Sequence, residues 1–468
     1  MKTYRKIISI VLTLALVMSL CIVQAPTKSF AGVKIIVGKK LDFDIGSKET
    51  ILVKGKAKAK SASKKVAKIT KIKKGKKTKI TVKGMKVGKT TIKVKVKKKT
   101  KKVKVTVRPR KASNLKVALA SQTSAKLTWS KAKGATGYYV YRSATRNGAY
   151  TKIATVTANT YTNTGLALGK YYYYKVMAYG NKKITSDEYS NIAYAKTWKL
   201  IWQDEFEGTA LDTKKWNNEG ATGDGGYGNN ELQDYQTEYC EVKDGKLTIK
   251  PTIYWDKANN KLVRNGTHYE AYSTKLWTKD TDTDKSFDQF TYGKFEFRAK
   301  MPKGKGTWAA GWMLGTGAGG GWPTCGEIDV FETTSQDAKT WIPQSLHMQK
   351  FNGMPSSSGN KHYDSVISDA TKAFHTYGVE WYPTYIKFTV DGKQTGIYNP
   401  GDYTLDPNPT DDMSIWPYKY PFYLIMNCAI GGTLGGEVNP KYWTLKETNG
   451  NIEKYEDYLD FDYVRVYQ

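Results

Sequence analysis

Apolar side chains return at every second position along much of this chain, and no long stretch of it carries a helical period. Thr78-Lys79-Ile80-Thr81-Val82-Lys83, Thr91-Ile92-Lys93-Val94-Lys95-Val96 and Phe295-Glu296-Phe297-Arg298 all alternate in this way. Residues two apart in a strand share a face, so each run offers one apolar side to a core and one polar side to its surroundings. The chain is therefore expected to be all-β. Asp244-Gly245 and Asp391-Gly392 mark tight hairpin turns, in which both central residues need positive φ.

At 468 residues the chain is too long for one ordinary domain, and its charge shows where it divides. The formal net charge is about +4 over residues 1–31, about +25 over 32–107, about +13 over 108–197 and about −9 over 198–468. Residues 1–31 have Lys2, Arg5 and Lys6 before an apolar run from Ile7 to Val23, then Ser29-Phe30-Ala31, the pattern of a secretory signal peptide cleaved after Ala31. Leu20 precedes Cys21 where a bacterial lipobox has a small residue, so lipidation is not expected. No later segment has the length to span a bilayer, and a secreted monomer is expected.

Residues 32–107 read as a small β-sandwich with a lysine-covered exterior, drawn to an anionic cell-wall or matrix polymer. Lysines that merely guard edge strands against aggregation are the plainer alternative. Nucleic acid is disfavoured as a partner because the aromatic rings on which bases stack are almost absent there. Residues 108–197 read as a second sandwich with Trp129 and with Tyr172, Tyr174, Val176 and Ala178 on one strand face, whose default role is a spacer. The mildly acidic 198–468 does not suit a nucleic-acid substrate, since phosphate contacts need Lys and Arg.

Within that last segment, Glu327-Ile328-Asp329-Val330-Phe331-Glu332 sets three carboxylates among apolar residues. Glu327 and Asp329 share a face, but Glu332, five positions from Glu327, faces away unless Val330 or Phe331 is an extra residue in a β-bulge. With a bulge all three acids line one cleft. Without one, the run is a solvated strand whose acids face water. Two carboxyl groups across a small gap are what glycosidic cleavage needs: Glu327 as nucleophile, Glu332 as general acid/base and Asp329 coupling to Glu327.

This run and the preceding Gly321-Trp322-Pro323-Thr324-Cys325-Gly326 resemble the active-site strand of family 16 glycoside hydrolases, and the two residues between Asp329 and Glu332 resemble its laminarinase-like branch. The resemblance extends over about residues 198–468. It includes Trp202-Gln203-Asp204-Glu205-Phe206, Gly228-Asn229-Asn230-Glu231-Leu232-Gln233, Tyr292 to Arg298, Phe374 to Trp381 and Phe461 to Tyr467. It implies a β-jelly roll with the glucan lying across a concave sheet, and a retaining endo-β-1,3-glucanase acting on laminarin-type β-glucan. Mixed-linkage glucan or a galactan remains open as substrate, and so does a non-catalytic glucan-binding or adhesion role. Residues 32–107 resemble bacterial immunoglobulin-like domains of group 2. Residues 108–197 resemble a fibronectin type III module with Tyr172 at its tyrosine corner.

The aromatic candidates for stacking sugar rings are Trp308, Trp312 and Trp322, close before the acidic strand. Trp202, Trp216 and Trp443 are assigned to packing. Asn230 and Glu231, in the Gly-rich loop that starts at Gly225, resemble residues bordering the glycone subsites. Arg298, on the face opposite Phe295 and Phe297, is expected to reach sugar hydroxyls, and His347 to contact substrate, while His375 is structural. No cofactor is expected for catalysis. Resemblance implies a structural calcium held by Glu205, the Gly245 carbonyl and Asp462, oxygen donors of the kind calcium takes. Cys240, Cys325 and Cys428 allow at most one disulfide and fit no zinc spacing.

Overall fold

The computed structural model describes residues 33–218, 220, 226–278, 288–317, 320–333, 341–351, 361–400 and 412–468; the expected signal segment and Gly225 lie outside them. Strands dominate throughout. Among the described residues no helix is long and apolar enough to cross a membrane. The chain forms two compact units: one carries both small sandwiches, and the other runs from Thr197 to Gln468 together with Ala167–Lys170.

In the first sandwich one sheet has the order Ile35–Val37, Lys48–Lys54, Lys77–Gly84, Ala67–Lys73, and the facing sheet Lys40–Asp44, Lys99–Arg108, Gly88–Val96, Lys58–Ser61. Alternation does here what the sequence leads one to expect. Ile51, Val53, Ile80, Val82, Ile92, Val94, Val103 and Val105 close the core, while the lysines between them point outward. The second sandwich sets Ser113–Ser121, Ser124–Ser130 and Thr160–Asn163 against Thr151–Val156, Gly137–Ser143, Tyr171–Tyr179 and Ala193–Lys196. Its core centres on Trp129, packed edge-on against Tyr138, with Leu127, Val140 and Val176 around them. Tyr174, rather than Tyr172, is the fully buried tyrosine of its strand, and its hydroxyl donates to Asn163 Oδ1.

The second unit is a jelly roll. Its outer sheet runs Cys240–Lys243, Lys246–Ile249, Leu459–Tyr467, Gly293–Lys300, His375–Trp381, Ile386–Val390, Lys393–Tyr398, with Leu200–Asp204 also on Leu459–Tyr467. The other sheet, here the acid-bearing sheet, runs Trp216–Asn218, Lys275–Thr278, Phe422–Ile430, Thr307–Gly315, Glu327–Glu332, Trp341–His347, Lys361–Val366. Phe295, Phe297, Tyr377 and Phe388 from the outer sheet meet Ala309, Met313, Ile328, Leu346 and Met426 from the acid-bearing one in a single core. Both expected hairpins are present, with positive φ at Asp244 and Gly245 and at Asp391 and Gly392.

This arrangement corrects one expectation. Arg298 does face away from Phe295 and Phe297, but its strand belongs to the outer sheet, so it points away from the acid-bearing sheet altogether. Its guanidinium pairs with Asp462 and lies over the Phe374 ring. The calcium expectation is altered by the same neighbourhood. Strand register gathers Glu205, Gly245 and Asp462 at one rim, with Asp204 opposite Val464 and Leu247 opposite Phe461. Yet Glu205 is chelated by Arg465 through two bonds of 2.7 Å, and Asp462 is taken up by Arg298. With both carboxylates facing guanidinium groups, the donor set as arranged does not fit a calcium ion.

Candidate active site

The acidic strand Glu327–Glu332 lies between Thr307–Gly315 and Trp341–His347. Against the former, Leu314 faces Glu327, Trp312 faces Asp329, and then the register slips, so that Gly311 faces Phe331 and Ala310 faces Glu332. Val330 is the extra residue. The bulge therefore restores the phase of Glu332, and the three acids share one face with Trp312 and Ala310. Glycine is needed at two positions around it. A Cβ on Gly311 would lie 2.4 Å from the Phe331 ring, and Gly326, at φ +84°, would carry a Cβ 2.8 Å from Pro417.

The side chains on that face converge. Asp329 and Glu332 are almost wholly buried. His347 Nε2 stands 3.0 Å from Asp329 Oδ2 and 3.8 Å from Glu327 Oε1, directly across the strand pair from Glu327. Trp308 Nε1 donates to Glu332 Oε1 at 3.0 Å. Trp322, 55% exposed, has its ring centroid 5.9 Å from that of His347, which puts an open aromatic face at the edge of the acid cluster. Behind the cluster the buried Tyr418 hydroxyl bridges the carbonyls of Glu327 and His347 at 3.3 and 3.0 Å, tying the two strands together.

Burial governs the electrostatics. It pushes the Glu327 carboxyl well above the ordinary range, a rise that Asp329 adds to and His347 opposes. Burial raises Asp329 likewise, with Glu332 adding to it, while a hydrogen bond to Glu327 works the other way. Glu332 is raised by burial against the pull of His347 and the Trp308 N–H. Glu327 and Asp329 thus share a hydrogen bond, and with it a proton, so the three acids titrate as a set. Such a site can keep one carboxyl protonated beside one that ionises, which is what an acid and a nucleophile require. Glu327, Asp329 and His347 also offer ligand atoms all within 4.8 Å of one another, and a cation there would compete with substrate for the same carboxylates.

The Gly-rich loop docks on the same sheet, where Glu231 bridges to Gly431 and the Leu232 N–H donates to the Ile430 carbonyl. Asn230 is exposed at the loop's tip in a left-handed conformation. Glu231 differs from expectation. Its carboxylate accepts from Asn229, Gln233 and Tyr235, and it anchors the loop rather than presenting free oxygens to a sugar. From Tyr235 the bonds continue: Asn427 Nδ2 donates to the Tyr235 hydroxyl at 3.0 Å, and Trp312 Nε1 to Asn427 Oδ1 at 2.8 Å. Loop and aromatic are thereby fixed to one scaffold. Tyr235, Asn427 and Tyr418 were not legible as site residues, because only the folded register brings them beneath the cleft.

The remaining assignments fall outside the cleft. Trp216 is buried with its N–H on Asp204, Trp202 packs on it, and Trp443 donates to the Lys305 carbonyl. His375 is held between Asp369 and Asp391. Cys240, Cys325 and Cys428 are all free thiols.

The sequence pattern of glycosyl hydrolases family 16 matches residues 251–431. A beta-glucanase of Rhodothermus marinus is 32% identical over 284 residues, spanning 58% of this chain and 86% of that protein. Glucan endo-1,3-beta-glucosidase A1 of Niallia circulans is 37% identical over 287 residues, 58% of this chain and 38% of that longer protein. The solved laminarinase of Rhodothermus marinus, 32% identical, aligns with 58% of this chain and 97% of its own, with a TM-score of 0.47.

Proposed function

Because the chain belongs to glycosyl hydrolases family 16, we propose that it is a secreted, retaining endo-β-1,3-glucanase acting on laminarin-type β-glucan. The observation that carries this reading is the bulged strand, which turns Glu327, Asp329 and Glu332 onto one face beside Trp308, Trp312 and Trp322. Glu327 attacks the anomeric carbon while Glu332 protonates the departing oxygen. Glu332 then takes a proton from water, which releases the sugar from Glu327. Asp329 and His347 hold Glu327 in place and set which carboxyl keeps the proton. Retention rests on the family membership, and secretion on the pattern of residues 1–31.

The β-1,3 linkage is supported by the glucan endo-1,3-beta-glucosidase among the relatives. A non-catalytic binding role is not favoured, since the chain keeps all three acids in working register. The two basic sandwiches are read as immunoglobulin-like and fibronectin type III-like appendages.

Reducing-end release on laminarin, lichenan, agarose and κ-carrageenan, measured for the full chain and for Glu327→Ala, tests the proposal. Laminarin cleavage is expected, falling by about 10⁴-fold or more when the nucleophile is removed. Cleavage of a galactan alone would overturn the substrate, and substantial hydrolysis by Glu327→Ala would overturn the catalytic assignment.

A further inference from the structure

The first sandwich carries an ordered array of charge that the cleft chemistry does not use. On the sheet Lys40–Asp44, Lys99–Arg108, Gly88–Val96, Lys58–Ser61, the register sets Lys60 opposite Lys93 and Lys93 opposite Lys102, three ammonium groups in one row across three strands. Lys58 faces Lys95 in the next row, and Lys104 continues the array along its strand. All six are exposed. Neighbouring strands lie about 4.8 Å apart and alternate residues about 6.7 Å apart, so the outer face is a grid of like charges at those spacings.

Like charges directly opposite one another destabilise a sheet. The only acids in residues 33–107 are Asp42, Asp44 and Glu49, and Asp42 is taken by Arg108. Among the described residues none of the six lysines forms an ion pair. Edge protection would account for Lys58 and Lys60 on the outermost strand Lys58–Ser61, but not for Lys93, Lys95, Lys102 and Lys104 on the two interior strands Gly88–Val96 and Lys99–Arg108.

We propose that this face binds a flexible, linear polyol-phosphate polymer, deepening the anionic-polymer expectation for residues 32–107 independently of how the cleft is read. Three features select that chemistry. The array demands repeated negative charge along a chain. Its cations are all lysines, with no arginine between residues 33 and 107, and an ammonium on a flexible stem acts as a point charge, which suits the freely rotating phosphates of a flexible chain. The stretch contains a single aromatic residue, the buried Phe43, so it offers no platform for sugar rings or bases, and an acyclic backbone needs none.

Binding of the full chain to poly(glycerol phosphate) tests this, beside polygalacturonate and duplex DNA, with a Lys60→Gln, Lys93→Gln, Lys102→Gln variant and a control variant Lys116→Gln, Lys126→Gln, Lys131→Gln, exposed lysines of the second sandwich that do not oppose one another. The expected result is selective binding to the polyol-phosphate, weakening about tenfold or more between about 50 and about 200 mM salt as counterions are released. The first variant should lose about tenfold in affinity and the control much less. The first variant should also melt no lower than the parent, because removing opposed charges relieves the sheet, and laminarin hydrolysis should be unchanged. Equal loss in both variants, unaltered binding by the first, or preference for polygalacturonate or DNA would overturn the inference.

Discussion

At the scale of single residues, the chemistry depends on how one histidine divides its influence between two acids. His347 lies against Asp329 and Glu327 and draws both Glu327 and Glu332 toward ionisation. The acid limb of the rate profile reports ionisation of the nucleophile, and the alkaline limb reports loss of the proton on the general acid. His347→Ala removes a group that lowers both pKa values, so both rise and the whole bell of kcat/KM against pH moves to higher pH. Activity at the parent's optimum should fall about tenfold, small beside the ~10²–10⁴ that general acid–base catalysis supplies. A profile that loses height without moving would show that His347 acts on the sugar alone. Strand spacing offers the convergence of the three acids once a bulge is allowed, and the family resemblance offers His347. Arg298 lies on the outer sheet and the Glu231 carboxylate is engaged by Asn229, Gln233 and Tyr235, because the sequence shows which face a side chain takes, but not which sheet its strand joins or which neighbours hold its oxygens.

At the scale of an element, the acidic strand works because one residue too many is absorbed at Val330. The sequence narrows the bulge to Val330 or Phe331. What selects between them lies on the neighbouring strand, where Gly311 leaves room for the Phe331 ring to stay in register and turn inward. Gly311→Ala would place a methyl 2.4 Å from that ring. Overpacking of this kind costs about 1–3 kcal/mol, which lowers Tm by about 2–4 °C per kcal/mol in a domain of this size. Because Glu332 follows Phe331 directly, kcat should drop further than stability alone explains. A variant that melts lower yet retains full kcat would mean that the bulge holds Glu332 without help from Gly311.

At the scale of the molecule, the unit from Thr197 to Gln468 has its own large core, shared by two sheets of its own. Produced alone, it is expected to fold and to hydrolyse soluble laminarin with kcat/KM within about twofold of the full chain, as an independently cored domain should. A greater loss would show that the basic sandwiches take part in substrate turnover. The change of net charge between residues 108–197 and 198–468 falls beside the boundary between the two units at Thr197, whereas the pairing order of the strands leaves no such trace in the sequence, since β register is set by partners distant along the chain. That same composition has an optical consequence. Twelve of the thirteen tryptophans lie at or beyond residue 198, Trp129 serves the second sandwich, and residues 33–107 contain neither tryptophan nor tyrosine. The lysine-rich sandwich is therefore silent in tryptophan and tyrosine emission. A heat-absorption peak that passes with no change in fluorescence can be assigned to its unfolding without labelling the chain.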